Sequence, residues 1–346
     1  MDIVQIAAGS DTACALTNTG HMYCWGDSGL GIAGHPELGG WFCSARHAPN
    51  HRCLRGIALS TVHGCGNTFD DKVLCWGVNS SGALGDPNAP GGPFPNFAYD
   101  LSDVIQVSAG GGASAALLRD GDVRLWGFHT ELNIQPQVPT ALYSSSLHEI
   151  VALPIRGMPH CAVRADGRVL CWGGSAEPQM MYSLHPPEEI RGLMNVVEVS
   201  GDYSNSCARV AEGQLWCWGA APLGDGTAAD STMAPVAVIG VGNATGVSVA
   251  WDHACAVLAD GGVVCWGGNQ SGQCGAPDSA DVLTPVRVEG LPPTSQVAAG
   301  YAFSCALTFG GDVYCWGANN ACQIGAGIGT SSNHVPNKIT FQDALR

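Results

Sequence analysis

Lysine and arginine are scarce in this sequence: 14 among 346 residues, against 29 Asp+Glu and a formal net charge of −15. A binder of nucleic-acid backbone needs clustered cations, so nucleic acid is excluded as a partner. Charged residues of both signs make up only 12%, while hydrophobic ones reach 46%, which excludes a disordered chain. No run approaches the ~18 uninterrupted apolar residues of a membrane-spanning helix. Helix-borne metal motifs are missing, as is a glycine-rich phosphate loop leading into a helix. No nucleophile stands beside a base in the sequence, so no catalytic constellation and no cofactor are expected. The chain opens MDIVQIAAGS, directly into a strand-like run, so an export signal is expected to be absent or already trimmed.

What is abundant is a repeated hairpin. The stretch Cys305 to Gly317, CALTFGGDVYCWG, is two short apolar runs joined by Gly310-Gly311-Asp312. Its Trp-Gly pair recurs seven times, at Trp25, Trp76, Trp126, Trp172, Trp218, Trp266 and Trp316. The length alone would suggest two domains, but like units of 46 to 51 residues imply one body closed on itself. The expected fold is all-β: a single seven-bladed propeller over residues 1–346 with four-stranded blades. Small residues such as Ala298-Ala299-Gly300 suit an inner strand beside a central channel, and the Trp side chains suit the space between blades. A first strand near Ile3–Ala8 and a last one near Val335–Phe341 would close the ring by pairing.

Cysteine numbers 16. Six hairpins hold two each, ten residues apart: Cys14 and Cys24, Cys65 and Cys75, Cys161 and Cys171, Cys207 and Cys217, Cys255 and Cys265, Cys305 and Cys315. In the third repeat Ala115 and Leu125 replace both members together, as a mutual bond predicts. Facing positions of a hairpin lie within disulfide reach, so six cross-strand disulfides are expected, with reduced core thiols as the alternative. Such bonds imply an oxidising, extracytoplasmic compartment.

The repeat AAGYAFSCALTFGGDVYCWGANN and the loop Asn269 to Gly275, NQSGQCG, resemble the regulator of chromosome condensation repeats along the whole chain. That resemblance implies a seven-bladed propeller, and the doubled cysteine resembles a bacterial, exported variant. The third and fourth repeats depart from the pattern after Trp126 and Trp172 and at Leu153 to Arg156. A secreted, β-lactamase-inhibiting branch of the family implies a monomeric binder of protein or peptide that uses turns around the channel mouth. Guanine-nucleotide exchange is disfavoured by the disulfides, and UV-B reception by the missing Trp and Arg cluster. A structural or adhesive module, and an enzyme acting at the channel mouth or in the first insertion, remain as alternatives.

Two insertions, about 26–55 and 80–99, decorate the face that also bears the turns between first and second strands. Among those turns, aromatics fall only in the last three repeats: Tyr203, Trp251 and Tyr301 with Phe303. These, with Asp252, form the expected binding arc; Trp41 and Phe42 of the first insertion are the second candidate surface. Cys43, His47, His51 and Cys53 have metal-ligand types and could hold zinc, but a Cys43–Cys53 disulfide with surface histidines is the simpler expectation. Cys274 and Cys322 lie in matching loops of adjacent repeats and are expected to bond, with two free thiols as the alternative. His63, His160 and His253 precede second strands and are expected to cap turns.

Overall fold

The computed structural model describes residues 1–342 apart from 38, 129–137, 141–145, 155–160, 173–186, 203, 221, 229–231 and 328–331. No helix occurs among the described residues, so none there is long and apolar enough to cross a membrane. The chain forms seven sheets whose strands run antiparallel from the inner strand outward in chain order, except for one added parallel strand at the outer edge of blade 1. Blade 1 comprises Ile3–Ala8, Thr12–Thr17, Met22–Asp27 and Trp41–His47. Blade 7 comprises Thr294–Ala299, Phe303–Thr308, Val313–Gly317 and Asn333–Lys338. The expected irregularity of the middle blades is present. Among the described residues, blade 3 shows three strands, with Thr140 bridged to Leu125 where a fourth would lie, and blade 4 shows strands of two to four residues.

Second strands such as Thr12–Thr17 and Phe303–Thr308 are buried along their entire length, because both faces pack against neighbouring blades. That is why their sequence is a continuous apolar run rather than an alternation. Each Trp of a Trp-Gly pair is buried to 1% exposure or less. Four of these indoles also lock blade to blade: Trp25, Trp76, Trp126 and Trp316 donate Nε1–H to Gln323, Ile32, Ala83 and Gln273 carbonyls of the preceding blade at 2.8–2.9 Å. A buried indole needs such a partner, and the loop after the previous Trp supplies it.

The six hairpin disulfides are present, with Cα atoms 4.0–4.1 Å apart. In blade 3, Ala115 faces Leu125 at the same register. The expected Cys43–Cys53 and Cys274–Cys322 bonds are absent: Cys43 bonds Cys322, 279 residues away, with Cα atoms 4.8 Å apart. It joins the outer strand of blade 1 to the loop of blade 7, across the junction of the chain's two ends. Cys274 belongs to a different position of its loop. It matches buried Leu84 and Ile324, whereas Cys322 matches Gly272 and shares its left-handed backbone (φ 64° against 79°).

Closure of the ring follows from the outer edges. One step before the partner of the third-strand cysteine (Leu125 in blade 3), the outer segments carry Pro95, Pro139, Pro187, Pro235, Pro285 and Pro336. Proline has no N–H to offer a further strand, so these edges are sealed. Blade 1 has Ala45 there, and its N–H donates to the Thr340 carbonyl at 2.9 Å. Phe341–Gln342 then pairs in parallel with Ala45 and Arg46 as a fifth strand. The expected closing strand is thus divided: Asn333–Lys338 completes blade 7, and only the last residues cross to blade 1.

Inner strands of neighbouring blades are too splayed for a backbone ladder. Glutamines bridge them instead. Gln296 donates to Ile6 O (3.1 Å) and accepts from Ile6 N (2.9 Å). Gln5 does the same to Ile57 and Gln106 to Leu153. The channel between them, about 280 Å³, is lined largely by these strands.

Mass spectrometry provides a direct check of connectivity. Non-reduced peptides should join Cys43 to Cys322, Cys53 should alkylate in the native protein, and Cys274 only after unfolding. Rapid native alkylation of Cys322 would contradict the seam bond.

Candidate functional site

Backbone hydrogen bonds define two faces. On one, the second residue after the Trp donates to the turn between first and second strands, as Gly268 N does to Asp252 O and Ala318 N to Ala302 O. This loop face carries the two long insertions. On the other, second-strand ends bond the blade-to-blade connections, as Phe69 N does to Cys53 O and Phe309 N to Pro293 O.

Trp251 and Tyr301 stand on the loop face, 44% and 46% exposed, with ring centroids 5.7 Å apart. Their turns are fixed from both sides. Ser204 Oγ and Asn205 Nδ2 donate to the Trp251 carbonyl at 3.0 and 3.2 Å, and Tyr301 N donates to Ser10 O at 3.2 Å. Tyr203, the third member of the expected arc, lies outside the described residues. Phe303 does not belong to the arc. It is fully buried, because Gly300 leaves its Cβ space empty and the Phe303 ring fills it. An alanine Cβ at position 300 would meet that ring at 1.9 Å. Phe42 is also buried, under Arg46 and beside His35, whereas neighbouring Trp41 is 52% exposed.

A cleft of about 500 Å³ opens next to Tyr301, lined by Ser10, Asp11, Ser271, Asn320 and Ser332 among others. Asp11 forms part of its wall, held by Gln323 Nε2 at 2.8 Å.

Asp252, His253 and Ser304 form a chain that sequence reading missed, since Ser304 lies in the next blade. His253 Nδ1 is 3.3 Å from Asp252 Oδ1, and Nε2 is 2.9 Å from Ser304 Oγ. The types are those of a hydrolase triad, but the proton directions are opposite. Ser304 donates its single hydroxyl proton to the Gln273 carbonyl at 2.9 Å, so its oxygen accepts from His253 Nε2–H. An imidazole already protonated at that nitrogen cannot serve as base for the serine. Ser304 is moreover fully buried. His63 repeats the arrangement, 2.7 Å from Ser114, which donates to Ala83 O. Burial pushes the His63 pKa down to about 4. These histidines link blades as well as capping turns; His160 lies outside the described residues.

The four residues with metal-ligand types in the first insertion are not brought together. Cys43 is bonded to Cys322, and Cys53 is exposed on the opposite face. His47 is 3.3 Å from His21. His51 is not a surface residue: it is fully buried, edge-on to Trp76 at 4.5 Å, with neither ring nitrogen hydrogen-bonded. Its place explains this. Two residues further on, Cys53 adopts a left-handed conformation matched by Asp103, Glu149 and Asn195 in later blades (φ 56–59°). Counting back from those gives Leu101, Leu147 and Leu193, apolar plugs between blades. His51 is a histidine in a leucine's position, and burial lowers its pKa to about 3.

Fold and site together define a disulfide-braced, seven-bladed propeller, parts of which are similar to regulator of chromosome condensation repeats. The repeat models match residues 260–307 and, in a second form, 3–32, 245–273 and 295–323. Over 130 residues the chain is 28% identical to the mitochondrial RCC1 domain-containing protein RUG3 of Arabidopsis thaliana, covering 36% of this chain and 29% of that protein. It is 32% identical over 135 residues to the E3 ubiquitin-protein ligase HERC2 of Mus musculus, covering 36% of this chain and 3% of the ligase. The match thus spans under a third of either relative's length. The structure is similar to Prp20p of Saccharomyces cerevisiae, with TM-score 0.82 and 20% identity over 98% of this chain and 87% of Prp20p. That likeness is one of fold.

Proposed function

We propose that this propeller is an extracytoplasmic binding module that engages a protein or peptide through its loop face, in an inhibitor-like manner. The observation that carries the reading is the Trp251–Tyr301 pair. Two large aromatic side chains stand nearly half exposed on adjacent turns whose backbones are locked by neighbouring blades. Rigid amphipathic rings of this kind lose little entropy on binding and supply hot spots. Trp41 of the first insertion, also exposed, is the second contact surface. Prp20p, similar in fold, was characterised for binding to Gsp1p and histones, which supports a partner-binding use of the architecture. Seven disulfides support an oxidising location, since cytosolic thiols are held reduced.

The test compares capture of native extracellular proteins by the wild type and by Trp251→Ala. The variant should keep its thermal midpoint and bind the captured partner at least about tenfold more weakly, as expected for a hot spot. Equal binding by a folded Trp251→Ala protein would reject this surface.

A further inference from the structure

The charges of this molecule are sorted by face. Among the described residues, the loop-face turns and loops contain no lysine or arginine; Arg156 falls in the segment outside them. Arg55, Lys72, Arg119, Arg168, Arg287 and Lys338 all lie at the opposite face, and each is paired there with a carboxylate, as Arg55 and Arg119 are with Asp71 at 2.7 Å. Among the described residues, Asp11, Asp27, Asp278 and Asp281 of the loop face make no ion pair with a lysine or arginine. Asp278 and Asp281 are exposed in the loop after the third strand of the blade that carries Trp251, and Asp11 of blade 1 lines the cleft beside Tyr301. Glu37 is the exception, reached by Arg46 of the outer strand at 3.3 Å. In a chain of net charge −15, the loop face thus presents carboxylates without lysine or arginine partners around an aromatic pair and a cleft.

The geometry points to a basic protein segment as the partner of this face, with one lysine or arginine side chain seated in the cleft between Tyr301 and Asp11. This rests on the loop-face reading above and adds the chemistry of the partner. An aromatic wall attracts a cation over its ring face, and the Asp11 carboxylate adds an ion pair and acceptor. Ser10, Ser271, Asn320 and Ser332 line the same cleft and can complete the hydrogen bonds of a guanidinium or ammonium group. A face with carboxylates and no lysine or arginine among its described turns and loops also steers a cationic partner from a distance and rejects an anionic one.

The probe is a fluorescent nine-residue arginine peptide titrated against the intact protein, with a nine-residue glutamate peptide as counterpart. The arginine peptide should bind, lose affinity steeply with added salt, and compete with the captured partner. Asp11→Asn/Asp252→Asn should weaken it at least tenfold, and Asp278→Asn/Asp281→Asn, whose side chains hold no element of the fold, at least threefold. Glu212→Gln/Glu289→Gln, removing equal charge from the opposite face, should change it less than twofold. Equal loss in all three double variants would show general attraction to an acidic protein and overturn the proposal. A captured partner that depends on Trp251 but ignores the arginine peptide and both aspartate pairs would overturn it too, while leaving the loop-face reading intact.

Discussion

Cys43→Ser should lower the unfolding free energy by about 5 kcal/mol in the chain-entropy model, more than loss of any hairpin disulfide. The Cys43–Cys322 bond spans 279 residues, whereas each hairpin bond spans 10 and is worth about 3 kcal/mol by the same reasoning. The seam bond also acts where the ring has no covalent continuity. Blades 1 and 7 also meet through the Gln296 bridge, the Trp25 indole, Gln323 on Asp11, Tyr301 N on Ser10 O, the short Phe341–Gln342 strand and a shared apolar core. The loss should be local before it is global: hydrogen exchange should rise in Ile3–Ala8 and Asn333–Lys338 well below the unfolding midpoint. Ala45→Pro tests the same seam without touching sulfur. It removes the N–H that donates to Thr340 and gives blade 1 the sealed edge of the other blades. Its damage should be confined to the terminal strand and first blade. A Cys43→Ser protein as stable as the wild type would mean that the seam is held by other contacts.

His51→Leu should raise stability at neutral pH by about 1–3 kcal/mol, because it removes two buried ring nitrogens that have no partners. It should also flatten the acid limb of the stability curve. His51 and His63 have folded pKa values of about 3 and about 4, both depressed by burial below the ordinary 6.5. As pH falls below 6.5 the unfolded chain takes up protons that the folded one refuses, so stability declines. The His63 contribution to that decline ends near pH 4, and the His51 contribution near pH 3. Between pH 6.5 and 4 each should cost on the order of 3 kcal/mol. His51→Leu should remove about one proton from the uptake on unfolding. His63→Leu removes the same proton but breaks the links to Ser60 and Ser114, so it should destabilise at pH 7. Thermal unfolding from pH 4 to 8 separates the two, and an unchanged acid slope in His51→Leu would show that this imidazole is not buried neutral.

The period of Trp-Gly pairs and the joint replacement of both cysteines by Ala115 and Leu125 in the third repeat were enough to read the architecture and the hairpin disulfides, because both are local consequences of one repeated unit. The Cys43–Cys322 bond was not readable in the same way. It exists only because the ring brings residue 43 back to residue 322, and ten-residue proximity favoured Cys53. Careful register would have helped elsewhere. Phe303 aligns with Thr12, His63 and His253 at the first residue of the second strand, an inward position, rather than with the turn before it. His51 aligns with Leu101, Leu147 and Leu193. The edge prolines and the sorting of cations were present in the sequence too, but become meaningful only once strands are assigned to faces. The Asp252–His253–Ser304 chain joins two blades and has no sequence signature.

The central claim is that the loop face, around Trp251 and Tyr301, is where this protein meets its partner. Amide hydrogen exchange with and without the captured partner tests it most directly. Protection should appear at residues 10–12, 250–253, 278–282 and 300–303, with the opposite-face turns at 69–72, 119–122 and 309–312 unchanged. Protection of those opposite turns with an unaltered loop face would contradict it.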